Sequence, residues 1–171
     1  GNTITGGYYG ITLVGSATSA NRSNIFLSNT IQNFHSYGMY VLGSFDTRIE
    51  ANDISRPNRT ISAGAFYGIY FTGLSVSANI TRNRIHLPGP LVTTNFTTYG
   101  IYITGTDAIT GLENRVTNNL IYDLNAPIDI YAVYNFSSDN TLYYHNTISL
   151  DDAASISTGV TRAFYQTGDA S

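Results

Sequence analysis

An all-β solenoid is the fold class this sequence predicts, with about five to six stacked coils of roughly thirty residues and very little helix. Three observations predict it. One strand motif returns along the chain as YGITLVG, YGMYVLG, YGIYFTG and YGIYITG, then in diverged form as YAVYNFS and AFYQTG. Its small residues Gly10, Gly38, Gly68, Gly100, Ala132 and Ala163 stand 28, 30, 32, 32 and 31 residues apart, room for one complete unit each. A second, shorter segment ending in Asn-x-Ile recurs with it, and no stretch of about 12 residues or more carries a clean 3.6-residue apolar period.

Taken in order, the first unit enters at GNTITG, where Asn2 and Ile4 form an Asn-x-Ile corner, and continues into the strand that starts at Tyr9. Further corners follow in FLSNTI, IEANDI, ITRNRI, VTNNLI and YYHNTI, placing Asn29, Asn52, Asn83, Asn119 and Asn146 two residues before Ile31, Ile54, Ile85, Ile121 and Ile148. An apolar or aromatic residue precedes each isoleucine by five places: Phe26, Ile49, Ile80, Val116 and Tyr143. The geometry this predicts is a strand, a tight bend at the Asn and a second short strand from the Ile, because Asn tolerates the left-handed backbone. Stacked coils would let equivalent Asn side chains hydrogen-bond along a column as an Asn ladder.

Within the long strand, period-two parity points Ile11, Leu13, Met39, Val41, Ile69, Phe71, Ile101, Ile103, Val133 and Phe164 inward. The intervening outward column reads Thr12, Tyr40, Tyr70, Tyr102, Tyr134 and Tyr165, followed one step later by Val14, Leu42, Thr72, Thr104, Phe136 and Thr167. The same parity sends Tyr9, Tyr37, Tyr67, Tyr99 and Tyr131 inward, to pack at the corner beside the small residues. The last unit stops after Tyr165 without an amphipathic capping segment, so both ends expose strand edges. The reading is one domain over 1–171, a segment of a longer solenoid whose flanking coils belong to the same polypeptide.

Composition narrows the function. Only 11% of residues are charged, the net charge is −3, and all eight basic residues are Arg, so a basic nucleic-acid footprint is absent. No apolar run reaches the roughly 18 residues that would span a bilayer. Zero Cys excludes disulfides and thiolate metal sites. The surface is instead built from Asn, Ser, Thr and Tyr, which offer the amide, hydroxyl and aromatic groups that bind sugars and also suit the turns of a repeat protein.

The YGIYITG-type strands and Asn-x-Ile corners resemble the right-handed parallel β-helix of the pectate lyase-like superfamily, over essentially the whole chain. A sandwich or barrel would instead show turns every 8 to 12 residues or so. The resemblance implies a secreted or cell-surface setting and a face beside the long strand where related lyases and hydrolases bind sugar chains. Tyr40, Tyr70, Tyr102, Tyr134 and Tyr165 are therefore the candidate ligand-binding column, for a polysaccharide or another surface protein, or else a stabilising ladder.

The enzymes of that superfamily set requirements this sequence does not match. Asp151-Asp152 is its only Asp pair, a pattern more common in turns, and there is no Gly-His-Gly segment. A lyase would need Ca²⁺ and a basic residue, for which Arg48 and Arg115 with Asp46, Asp107 and Asp169 are the available candidates. His35, His86 and His145 lie in separate contexts without ligand or triad spacing. The insertions at 56–65 and 86–98 are the expected groove walls. The leading expectation is thus a non-catalytic adhesive or carbohydrate-facing stalk with no cofactor. The alternatives are a lyase or hydrolase completed by residues elsewhere, and a tailspike-like trimeric fibre marked by an apolar outer face on a second sheet.

Overall fold

The computed structural model describes residues 1–16, 18–59, 63–89, 95–152 and 157–168. Every sheet in it is parallel, each follows chain order, and no helix occurs among the described residues. The long face stacks Tyr9–Val14, Tyr37–Leu42, Phe66–Thr72, Thr98–Thr104, Ile130–Phe136 and Thr161–Thr167. A second face stacks Ile25–Leu27, Arg48–Glu50, Asn79–Thr81, Asn114–Thr117 and Thr141–Tyr144. The third stacks Thr3–Thr5, Thr30–Gln32, Asp53–Ser55, Arg84–Ile85, Leu120–Ile121 and Thr147–Ile148. Such an order, in which each coil visits three faces before rising one level, is a parallel β-helix.

Register follows the sequence repeat. Ile11, Met39, Ile69, Ile101, Val133 and Phe164 pair in one inward column. Met39, Ile69 and Ile101 are fully buried, together with Ile31, Ile54, Ile85 and Ile121 from the third face and Ile49, Ile80 and Val116 from the second. Each such isoleucine removes enough apolar surface from water to stabilise the fold by about 2 to 3 kcal/mol. Phe164 has the same inward register but stays 46% exposed, because no strand stacks beyond it.

The two sequence signatures turn out to be one contact. A Cβ on Gly10, Gly38, Gly68 or Gly100 would come within 2.4 to 3.0 Å of the Cγ2 of Ile31, Ile54, Ile85 or Ile121 respectively. It would also meet the backbone oxygen of the next residue in its own column at 2.5 to 2.6 Å. The small residue of the YG strand is therefore the space into which the Ile of the Asn-x-Ile corner packs.

At the corners, the left-handed residue is not the Asn. Positive φ falls one position earlier, at Ser28 (55°), Ala51 (55°), Arg82 (57°), Asn118 (56°) and His145 (59°). That turn aims the following Asn into the coil, where it can pair instead of bend. Nδ2 and the backbone N–H of Asn29 both donate to Oδ1 of Asn52, at 2.9 Å each. Asn52 donates likewise to Asn83, Asn83 to Asn119 and Asn119 to Asn146, all at 2.9 to 3.0 Å. The second Nδ2 hydrogen reaches a carbonyl of an earlier coil: Phe26 from Asn52, Ile49 from Asn83, Ile80 from Asn119 and Val116 from Asn146.

Candidate functional site: a double tyrosine wall

The outer surface of the long face carries two aromatic columns rather than one. Tyr40, Tyr70, Tyr102, Tyr134 and Tyr165 pair across adjacent strands and are partly exposed, the first four alternating with buried neighbours and Tyr165 lying between the exposed Phe164 and Gln166. Tyr9, Tyr37, Tyr67, Tyr99 and Tyr131 form the second column, also in register. The inward placement that parity predicts for this second set fails for four of its five members, while Tyr131 is buried, at 8% exposure. Tyr9 is 42% exposed, and Tyr37, Tyr67 and Tyr99 lie partly exposed outside the hydrophobic core.

The physical reason is a phase shift at the glycine. Gly68 faces the core, as its contact with Ile85 shows, and the next residue, Ile69, is also fully buried. Two consecutive inward positions return Tyr67 and Tyr70 to the same outer face. The signal was present in the sequence as the recurring Gly or Ala between the tyrosine and the next apolar residue, since a small or missing side chain lets two neighbours share one side of a strand.

The columns interlock. Tyr37, Tyr67 and Tyr99 stack ring on ring at 4.8 Å, with interplanar angles of 8° and 2°. Tyr37 and Tyr67 stand perpendicular to their neighbours in the first column, with Tyr37–Tyr40 at 84° and Tyr67–Tyr70 at 89°, centroids 5.4 and 5.2 Å apart, whereas Tyr99–Tyr102 is tilted at 48°. The stacked column thereby covers its own faces and braces the other, a favourable edge-to-face arrangement.

Burial first, and then the neighbouring phenols, push Tyr37 and Tyr99 up to about 12 and raise Tyr67 further. These three phenols are consequently neutral at physiological pH. Arg162 is the one charged side chain in the six strands of this face. It occupies the sixth position of the stacked column, paired with Tyr131.

The other candidates do not converge. Arg48 pairs with Glu50, which also binds Arg82, while Arg115 pairs with Glu113 at 3.3 Å. Asp46 accepts from Ser23 and Asp107 is exposed, whereas Asp169 lies outside the described residues. Asp151 accepts from Ser149 in a local turn, and that hydrogen bond first of all lowers its pKa. The Asp–Arg groove of the lyase alternative is therefore not assembled among the described residues. The second face carries Arg48, Glu50, Asn79, Thr81, Arg115 and Thr117 outward in its middle coils, not the apolar surface a trimeric fibre needs.

The insertions place Arg56 where a groove residue was expected, but it is fully buried. Its guanidinium donates to the carbonyls of Pro88, His35 and Gly64 and lies 5.4 and 5.2 Å from the ring centres of Phe66 and Phe96. Burial, and secondarily Arg59, lowers its pKa to about 9, so it remains a cation at neutral pH. It ties the described parts of both insertions to the coil just before Tyr67 and Tyr99. The remaining residues of those insertions lie outside the described residues.

For a metal the donors are poor. Among the described residues no three His, Cys, Asp or Glu groups gather, the chain has no Cys, and its single Met, Met39, is fully buried in the core. His35 stacks on Tyr8 and contacts Ser36 Oγ at 2.8 Å, and its pKa is lowered by burial and then by Arg59 and Arg56. His86 contacts Asp53 at 3.1 Å and stacks on Tyr122, while His145 serves a corner.

No curated protein and no solved structure matches the chain. A family model described as periplasmic copper-binding protein (NosD) matches residues 1–168. The family is periplasmic, in keeping with the extracellular or cell-surface setting expected from the sequence. With nearly its whole length matched and a β-solenoid architecture, the chain belongs to the NosD family.

Proposed function

We propose that this chain is a non-catalytic periplasmic or surface β-helix whose tyrosine wall binds a linear polysaccharide. The observation that carries the reading is the double column itself, with Tyr40, Tyr70, Tyr102, Tyr134 and Tyr165 partly exposed and braced by a second stacked column. Rigid aromatic rings supply apolar contact to sugar rings at little entropic cost, and phenolic hydroxyls supply polar contacts at the rim. Centroid spacings along the first column of 5.3, 5.0, 4.9 and 5.0 Å give an evenly repeating surface, suited to a repeating ligand. The phenols themselves offer ring contact and hydrogen bonds rather than charge.

Copper binding, the activity in the family's description, does not come to this chain through any donor set described above. A Cu(I) site needs soft thiolate or thioether ligands and a Cu(II) site several imidazoles in one place. Neither is present in the chain's inventory of no Cys, one buried Met and three scattered His.

The test is a panel of immobilised polysaccharides, run beside an assay for unsaturated or reducing-end products with added Ca²⁺. Binding without turnover is expected. Turnover, or absence of binding to every polysaccharide, would overturn the reading.

A further inference from the structure

Arg162 breaks the chemistry of the wall at one corner. It continues the column of Tyr9, Tyr37, Tyr67, Tyr99 and Tyr131 as a planar cation in place of a sixth phenol. Its guanidinium carbon lies 4.3 Å from the ring centre of Tyr165 and 5.5 Å from that of Tyr131, and Nη1 donates to the Tyr131 hydroxyl at 3.1 Å. Both contacts hold the group flat on the wall. Neither neutralises it.

Among the described residues no carboxylate forms an ion pair with Arg162, whereas Arg48, Arg82, Arg84 and Arg115 each have one. Asp129, across the strand pair, uses its Oδ1 to accept the backbone N–H of Val160 at 2.8 Å. Arg162 is thus a positioned, partly exposed cation whose partners are aromatic, at the end of a surface otherwise free of charge. A guanidinium whose donors are not all used by protein presents the fork that matches a carboxylate in two parallel hydrogen bonds.

We infer that Arg162 forms a carboxylate subsite on the tyrosine wall beside Tyr131 and Tyr165, so that the preferred ligand is a glycan carrying a uronic acid where it passes Tyr165. This rests on the polysaccharide reading above and adds the position and sign of the charge. A sugar ring stacked beside Tyr134 and Tyr165 would bring its carboxylate to the guanidinium, while the remaining sugars meet only phenols.

The test compares a β-1,4-linked glucose hexamer with the glucuronic acid hexamer of the same linkage, which differ in the carboxylates alone. The 171-residue chain and its Arg162→Gln and Arg162→Lys variants are titrated calorimetrically at low and high salt. Wild type is expected to favour the uronate about tenfold or more at low salt, as a charge-assisted pair would give. Arg162→Gln should equalise the two hexamers while leaving affinity for the glucose hexamer and the melting temperature near wild type. Arg162→Lys should recover only part of the preference, since the planar fork is lost.

Equal binding of both hexamers by wild type, or a preference that survives Arg162→Gln, overturns the subsite and leaves the polysaccharide reading standing. A sulfated glucose hexamer bound in preference to the uronate overturns the assignment to a carboxylate. Failure to bind any of the hexamers overturns the subsite for this glycan backbone, and the wider panel above then decides the polysaccharide reading separately.

Discussion

The Asn corner and the tyrosine wall are both columns of one residue type, repeated at the same interval on the same solenoid, yet they end in opposite states. Asn52, Asn83 and Asn119 are almost wholly buried, and their amide oxygen and both amide hydrogens are matched within the protein. The wall tyrosines are matched ring against ring on one side and meet water on the other. Repetition alone therefore does not separate structure from function. What separates them is whether the repeated group's bonding capacity is consumed inside the molecule.

Removing a rung from the closed column should have the largest effect. Asn83→Ala deletes the acceptor for two donors of Asn52 and the donors to Asn119 and Ile49. A buried backbone N–H left unmatched costs about 1 to 3 kcal/mol, and several groups are stranded together, so the loss should reach about 3 kcal/mol or more. Thermal or urea unfolding followed by circular dichroism should show it, with little change in glycan affinity measured well below the melting point. A melting temperature within a degree or two of wild type would mean that the column is not a stabilising device.

Gly68→Ala tests the joint between the two regions. The new methyl would sit 2.5 Å from the Gly100 oxygen and 2.6 Å from Ile85 Cγ2, too close for either without a shift. Overpacking of this kind costs about 1 to 3 kcal/mol. Ala132 holds the same place in its own coil and still brings Tyr131 within 5.1 Å of Tyr134, so the variant should lose stability through the clash and lose ligand affinity only so far as the shift displaces Tyr67 from Tyr70. Loss of stability with unchanged affinity would show that the wall tolerates a displaced rung.

Alkali should act on the wall and spare the corner, which has nothing to titrate. Tyr37 and Tyr99 lie at about 12 in the fold against an ordinary 10, so the folded state disfavours their ionisation. With the folded value raised, their contribution is fully present below pH 10 or so and is lost as the pH rises from there to about 12. Solvent screening of these partly exposed rings limits the effect to a few degrees of melting temperature at pH 11 or so. Phenolate absorbance should show a fraction of the tyrosines ionising above the main step. A single transition with no change in stability would contradict the interlocked geometry.

Much of this was legible in the chain. The thirty-residue period and the Asn-x-Ile corners specify the parallel β-helix because stacked coils demand equivalent residues at equivalent positions. The corner's backbone was misread, since the bend at Ser28, Ala51, Arg82, Asn118 and His145 uses residues of no single type. Parity failed for Tyr67 and its equivalents because it assumes uninterrupted alternation, which a core-facing glycine abolishes. Arg162 was invisible as a site residue, for its meaning depends on Tyr131 and Tyr165 lying beside it in three dimensions.

The smallest effect on stability, and the sharpest on function, should come from single rungs of the open column. Tyr102→Ala removes a ring that meets Tyr99 at 5.1 Å and Tyr134 at 4.9 Å, and such contacts are worth roughly 0.5 to 1.5 kcal/mol beyond area. Tyr102→Phe keeps the ring and deletes only the hydroxyl, a loss of about 0.5 kcal/mol at most. If the wall is a sugar platform, the Ala variant should lose about tenfold or more in affinity, while Phe retains most of it because ring contact carries the binding. If instead the column only stiffens the solenoid, both variants should bind as wild type does and differ solely in melting temperature, and the wall would join the Asn corner as a closed device.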